Sequence, residues 1–241
     1  MNGITLSDLY NRCTINNKNT HSCFGAILKE LKTFAGSIQS NTSKRVGASR
    51  LKASNYEIQT GTVEATFYVK GDTEEACSLN VSNLVLECQD CIIKTADTNF
   101  EYACILTGVT SEDTGIDFYK QVTLQFNAIK RLPLVVVPLD HETLSTTVHN
   151  RGNVPSGLVL KITAISEMDA IKVCGITVTN LSAGDVFIID GLEGTVKCNG
   201  INRFLDTDLI DFPKIQPGNN LIEIQEGECN LVVSFYPTFS I

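Results

Sequence analysis

Hydrophobic and polar positions along this chain alternate far more often than they fall into helical spacing. In 56–70, Val63, Ala65, Phe67 and Val69 alternate with Thr62, Glu64, Thr66, Tyr68 and Lys70, the period-2 signature of a half-buried strand. Further strands are predicted over 91–95, 100–107 and 116–129. In the last, Val122, Leu124 and Phe126 alternate with Gln121, Thr123, Gln125 and Asn127. Two stretches read as helix. In 22–35, Phe24, Ile27, Leu28, Leu31 and Phe34 fall on one helical face, with Ser22 as N-cap and Gly36 as stop. A second helix runs from Asp72, with Glu75 at capping-box spacing, to about Glu87. Between them, 37–55 shows no period and reads as a long loop carrying Lys44, Arg45, Arg50 and Lys52.

Pro133 and Pro138 bracket an apolar run that reads as a join, giving domains 1–133 and 134–241. The second domain lacks a helical pattern. Short strands are expected over 158–165, 171–180, 185–190, 195–198, 221–226 and 231–236. Asp190-Gly191 and Asn199-Gly200 signal hairpins whose glycines accept positive φ, and Pro217-Gly218 marks another turn. The fold class is therefore mainly β: an N-terminal α+β domain, then a β-sandwich or jelly roll.

Composition narrows the function. The formal net charge of −8 argues against nucleic-acid binding by the chain as a whole. That charge is uneven: residues 1–52 carry eight Lys/Arg against two acids, 53–133 five against twelve, and 134–241 six against thirteen. Basic and acidic faces on one chain suit a repeating assembly, although simple solvation of the N-terminal cations is the plainer alternative. No apolar run approaches the roughly 18 residues of a membrane span. The N-terminus shows no basic patch followed by an apolar run, so synthesis in a cytoplasm is expected. The nine cysteines are expected to be buried free thiols.

Candidate chemistry is sparse. The P-loop, Gly-x-Ser-x-Gly and His-Glu-x-x-His patterns are all missing, so no enzyme and no cofactor is expected. His141 lies between Asp140 and Glu142, but neighbours in an extended segment point to opposite faces. Cys88-Gln-Asp-Cys91 would need a second pair to hold zinc, which Cys77 or Cys104 could complete only through the fold, and a helix-opening context for redox work. Asp206-Thr-Asp208 is a partial match to a Ca²⁺ loop and reads as turn solvation. The absence of Trp weighs against a glycan-binding platform.

One series is more specific. Ile189-Asp190-Gly191, then Asn199-Gly200, Phe212-Pro213, Pro217-Gly218-Asn219 and a closing Tyr236-Pro237, in that order, resemble the distal tail protein (Dit) family of long-tailed bacteriophages. The first half agrees in outline through Gly71, Phe100-Glu-Tyr102 and Arg131-Leu-Pro133. The resemblance implies a homo-hexameric ring at the distal end of the tail tube, at the virion tail tip. The N-terminal domain would form the ring around a channel for DNA, and a galectin-like C-terminal domain would project outward. The implied partners are the tail tube protein, the tail-tip hub or a tail-associated lysin or fibre protein, and receptor-binding proteins, with no membrane insertion. The alternative is a receptor- or carbohydrate-binding β-sandwich of a fibre or baseplate. On the ring reading, Lys44, Arg45, Arg50 and Lys52 are interface candidates. Asp190, Gly191, Asn199, Gly200, Pro213, Pro217, Gly218, Asn219, Tyr236 and Pro237 are structural motif positions rather than a binding site.

Overall fold

The computed structural model describes residues 12–36, 38–43, 52–58 and 60–240, the segments 38–43 and 52–58 by backbone alone. The chain divides into two units, Met1–Arg131 with Phe239–Ile241, and Leu132–Thr238.

In chain order the first unit contains β1 (Cys13–Ile15), β2 (Lys18–Asn19), α1 (Thr20–Phe24), β3 (Ala26–Phe34), β4 (Ile38–Ser43), β5 (Lys52–Ile58) and β6 (Gly61–Lys70). It continues through α2 (Glu74–Glu87), β7 (Asp90–Thr95), β8 (Glu101–Asp113) and β9 (Tyr119–Arg131). One antiparallel sheet runs β2-β1-β7-β8-β9-β6-β3, and β4 pairs with β5 separately. Val63, Ala65, Phe67 and Val69 on β6, and Val122, Leu124 and Phe126 on β9, point to the core and are at most 1 % exposed. Leu84 of α2 is fully buried in the same cluster.

Three expectations are corrected here. The helix expected over 22–35 is only the short α1, followed by strand. Gly25 turns left-handed at φ +58° and ends α1. A β-bulge between Leu28 and Glu30 then lets Ala26, Leu28 and Leu31 face Val69, Phe67 and Ala65. The extra residue makes an apolar step of three, which imitates helical spacing. The α2 cap is Thr73, not Asp72: its hydroxyl accepts the Ala76 N–H at 3.1 Å, so Glu75 stands one position short of closing a capping box. The segment 37–55 is not simply a loop, because β4 and β5 pair antiparallel from Ile38↔Ile58 to Ser43↔Lys52. Backbone pairing needs no apolar period, so this ladder leaves no mark in the hydrophobic pattern.

The second unit contains β10 (Val135–Leu139), β11 (Ser145–Asn150), β12 (Ser156–Gly157), β13 (Val159–Ala164), β14 (Met168–Val173), β15 (Ile176–Leu181) and β16 (Val186–Asp190). Then come β17 (Thr195–Cys198), β18 (Ile201–Asn202), a 3-10 turn (Phe204–Asp206), β19 (Lys214–Ile215), β20 (Gly218–Glu226) and β21 (Cys229–Phe235), while β22 (Thr238–Phe239) straddles the division, Phe239 falling in the first unit. A six-stranded sheet, β10-β21-β13-β16-β17-β18, and a four-stranded one, β11-β20-β14-β15, share one core. Leu160, Ile162, Phe187, Ile189, Leu231, Val233 and Phe235 come from the first, and Ile171, Val173, Val178, Ile222 and Ile224 from the second. The supposed join is partly strand: 135–139 is β10, paired with β21 at the sheet edge, where Pro138 is tolerated. The strand expected over 171–180 is a hairpin, β14 and β15, turned by Cys174 and Gly175 at φ +50° and +81°.

Candidate functional site

The first unit buries one face of its large sheet and leaves part of the other to solvent. The exposed face carries Thr62 and Glu64 from β6, Thr123, Gln125 and Asn127 from β9, and Thr110 and Glu112 from β8. Neutral amides and hydroxyls share it with Phe34, Ile105 and Ile129, which are exposed at its Thr62–Asn127 end. Thr66 Oγ1 and Thr123 Oγ1 lie 3.3 Å apart across the strands, and Lys32 of β3 is ion-paired with Glu30 at 3.0 Å and Glu64 at 3.8 Å. Both flanks of this sheet offer backbone edges: β3 pairs with β6, and β8 beyond Leu106 pairs with β9, with no second partner for either among the described residues.

Toward one end of that face a row of paired residues, Ile27–Tyr68–Gln121–Glu112, crosses four strands. With Tyr119, Thr114 and Ile116 of the β8–β9 connection it encloses a cavity of about 480 Å³. Lys29 Nζ donates to Gln121 Oε1 at 2.9 Å and lies 5.1 Å from the Tyr68 ring centre. Lys70 sits 5.7 Å from the Tyr119 ring centre, and Lys120 pairs with Glu74 at 2.6 Å. The pocket's own cations are thus engaged with their neighbours, while Glu112, Asp113 and Asp117 stand exposed beside it. No local signal in the sequence marks this pocket, since strand register alone assembles it.

Of the basic interface candidates, Lys44, Arg45 and Arg50 lie outside the described residues, and Lys52 opens β5. The motif positions of the second unit each have a geometric role. Asp190 Oδ1 accepts the N–H groups of Leu192 and Glu193 at 2.8 and 2.9 Å. Gly191 is a correction: it does not adopt positive φ, and the left-handed glycine of that turn is Gly194 at φ +66°. Gly191 is needed for space, because a Cβ there would lie 2.4 Å from the Pro213 carbonyl oxygen and 2.8 Å from that of Leu158. Asn199 and Gly200 are both left-handed, at φ +49° and +86°, in a two-residue turn. Asn199 also accepts the Val186 N–H at 3.0 Å and donates to Asp185 at 2.8 Å. After Pro217, Gly218 has φ +89°. Asn219 Oδ1 lies 2.8 Å from His149 Nδ1, the Tyr236 carbonyl accepts the Ser156 hydroxyl at 2.6 Å, and the Pro237 carbonyl accepts the Leu132 N–H at 2.9 Å.

The remaining chemistry resolves into structure. Cys88 caps the end of α2, and Cys91 faces Cys104 across β7 and β8. All nine cysteines are free thiols, and Cys23 is the exposed one. Hydrogen bonds from the Cys104 and Cys88 thiols hold Cys91 below the usual thiol range, whereas burial pushes Cys13 up to about 12. Among the described residues no group of three or more His, Cys, Asp or Glu is arranged to hold a metal ion. Asp206 is ion-paired with Arg203 and accepts from Asn180 at 2.9 Å, while Asp208 accepts the Thr177 N–H at 2.8 Å. These bonds pin the segment 203–208, on which Leu205 is 96 % exposed, and Ile210 just beyond it is 95 % exposed.

Two β units, the first with an open sheet face and with sheet edges unpartnered among the described residues, define the class of fold. Residues 151–239 match the family model described as "Siphovirus-type tail component, C-terminal domain". The Dit protein of phage SPP1, described as a paradigm of hub adsorption apparatus in Gram-positive infecting phages, superposes with a TM-score of 0.70 at 16 % identity, covering 95 % of this chain and 98 % of that one. A chain of the phage P2 baseplate in its activated conformation with Ca gives 0.51 at 9 % identity, covering 87 % and 90 %, and the Sr form gives 0.50 at 10 %, covering 86 % and 90 %. No curated protein matches the chain at a significant level. Residues 151–239 are thus similar to the C-terminal domain of siphovirus-type tail components, and the chain as a whole has the fold of the SPP1 Dit protein.

Proposed function

We propose that this protein forms a homo-hexameric ring at the distal end of the tail tube, joining the tube to the tail-tip hub or fibre around a channel for DNA. The observation that carries this reading is the fold shared with SPP1 Dit across both units. Head-to-tail closure requires two different complementary surfaces on one chain, and the two unlike sheet edges, β3 and the outer half of β8, supply candidates. The exposed Thr/Gln/Asn face suits a channel wall, since it offers phosphate few free cations to bind. Lys44, Arg45, Arg50 and Lys52 are proposed as contacts to a neighbouring copy or to the adjoining tube. The second unit carries partner proteins, and Leu205, held out on a pinned segment, with Ile210 just beyond it, is suited to such docking.

Light scattering with negative-stain imaging of the purified chain tests the proposal. The expected particle is a sixfold ring with an open centre. A chain that stays monomeric at every concentration, both alone and with its tube protein, would end the reading.

A further inference from the structure

Three of the buried thiols meet at one corner of the first unit. Cys88 ends α2, Cys91 is the second residue of β7, and Cys104 stands opposite Cys91 on β8. Each is at most 2 % exposed and belongs to the core beneath the large sheet. The other two core thiols of this unit are placed elsewhere. Cys13 lies opposite Thr95, four positions further along β7, and Cys77 donates to the Val69 carbonyl at 3.6 Å.

Strand register fixes the spacing of one pair. Leu106 N–H donates to Gln89 O at 3.1 Å, two residues from Cys104 and Cys91 along the same antiparallel ladder. Hydrogen-bonded pairs recur at every second residue, so Cys91 and Cys104 form one, with Cα atoms about 5.5 Å apart. Disulfides span about 4.4–6.8 Å between Cα atoms, and this pair falls inside that range. Cys88 approaches from the helix end, where no ladder sets its distance.

The three thiols also differ in acidity. Hydrogen bonds from Cys104 and Cys88 hold Cys91 below the usual thiol range, while bonding to Cys91, and then burial, pushes Cys88 and Cys104 up. A thiolate beside a protonated thiol places a nucleophile next to its resolving partner. Gln89 and Asp90, adjoining Cys91 in the chain, are exposed. The site therefore lies just beneath the surface, nearer to a water-sized oxidant than to a bulky reagent.

We propose that Cys91 and Cys104 are a buried redox pair, which hydrogen peroxide oxidises to a disulfide that staples β7 to β8 beside the end of α2. The Cys91 sulfur attacks one peroxide oxygen, the O–O bond breaks, and the departing hydroxide leaves as water with the Cys91 proton. The Cys104 sulfur then attacks the resulting sulfenic sulfur. The S–S bond forms, the S–O bond breaks, and a second water carries away the Cys104 proton. The two thiols together lose two electrons and the peroxide gains them.

Peroxide treatment of the native full-length protein, followed by denaturation, alkylation and tryptic mapping, tests this. Cleavage after Lys70, Lys94 and Lys120 puts Cys77, Cys88 and Cys91 on one peptide and Cys104 on the next. The expected product is those two peptides joined, with fragment spectra placing the bond at Cys91. It should persist in Cys88→Ala and vanish in Cys91→Ala. Mapping of the wild type needs no variant, so a substitution that fails to fold leaves the test intact. The oxidised wild type should melt about 5–10 °C higher, because the bond closes a loop in the unfolded chain, and dithiothreitol should reverse the shift. A bond confined to the first peptide would overturn the cross-strand pairing. A joined product seen only in urea, or oxidation of Cys23 with the core thiols untouched, would overturn the redox site. A joined product that lowers the melting temperature would overturn the staple.

Discussion

Gly191 and Gly200 look alike in the sequence, each following a turn-forming Asp or Asn, yet their replacement by alanine should have different costs for different reasons. At Gly200 a Cβ meets nothing within 4 Å, so the whole cost of Gly200→Ala is the left-handed backbone at φ +86°, about 1–2 kcal/mol. At Gly191 the backbone is unstrained, but a Cβ would sit 2.4 Å from the Pro213 oxygen. Relief requires separating chains that are tied together: Gly191 N–H donates to Leu158 O at 3.0 Å, and Leu158 N–H donates to Pro213 O at 2.9 Å. Weakening those two bonds costs about 1 kcal/mol each, and forcing the neighbouring backbone apart adds about 1–3 kcal/mol. Gly191→Ala should therefore cost about 3–5 kcal/mol, roughly two to three times the other. For a unit of this size each kcal/mol lowers the melting temperature by about 4–8 °C, so calorimetry on the full-length variants separates the two clearly. Equal shifts, or a Gly200→Ala loss exceeding that of Gly191→Ala, would refute the assignment of one glycine to space and the other to dihedral angle.

Four further outcomes are expected. Thr73→Ala should cost about 1 kcal/mol in urea denaturation through loss of the α2 cap, while Asp72→Ala should change stability by under about 0.5 kcal/mol. Brief alkylation of the native protein followed by mass spectrometry should label Cys23 first, and the buried core thiols only after denaturation. The carboxyls of Asp185, Asp206 and Asp208 are held below their ordinary range by hydrogen bonds from Ser182, Arg203 and Thr177 respectively. A carboxyl depressed in the fold stabilises it above the unfolded pKa of about 3.9 and loses that contribution as pH falls through the folded value. The urea midpoint should drop below about pH 4, and less steeply in Asp208→Asn. Finally, wild type should leave duplex DNA unbound in fluorescence anisotropy, whereas Thr123→Lys with Gln125→Lys and Asn127→Lys should bind it with strong salt dependence.

The strands on which the core rests were legible because their faces differ in polarity. In β6 and β9 the alternation names the buried side, and Val63, Phe67, Leu124 and Phe126 lie where that pattern puts them. The segment 22–35 was misread for a definite reason. Phase across Ala26, Leu28 and Leu31 is broken by one bulged residue, and a strand that skips once cannot be told from a helix by apolar spacing. In β4 and β5 the ladder is held by backbone groups, which composition does not reveal. The acidic rim at Glu112 and Asp113 was visible only as part of a diffuse surplus of carboxylates. Its partners Ile27, Tyr68 and Gln121 are spread along the unit and meet only through the register of four strands.

The composition of the open sheet face distinguishes among the uses such a face could have. A face meant only to stay soluble is satisfied by dense mixed charge, with Lys and Glu supplying hydration. A face meant to dock another protein permanently favours exposed aromatic and aliphatic groups. Along β6 and β9 the outward positions are mainly Thr62, Thr123, Gln125 and Asn127, with Glu64 tied to Lys32 and the exposed Phe34, Ile105 and Ile129 confined to the Thr62–Asn127 end. Short neutral side chains that hydrogen-bond to one another and to water offer a sliding polyanion neither a site to stick to nor a wall of like charge to resist it. On the proposed ring reading that is the property a channel wall needs, and the core face of the same strands places no such demand. The polar half of the alternation therefore carries functional information that its apolar half, fixed by burial, does not.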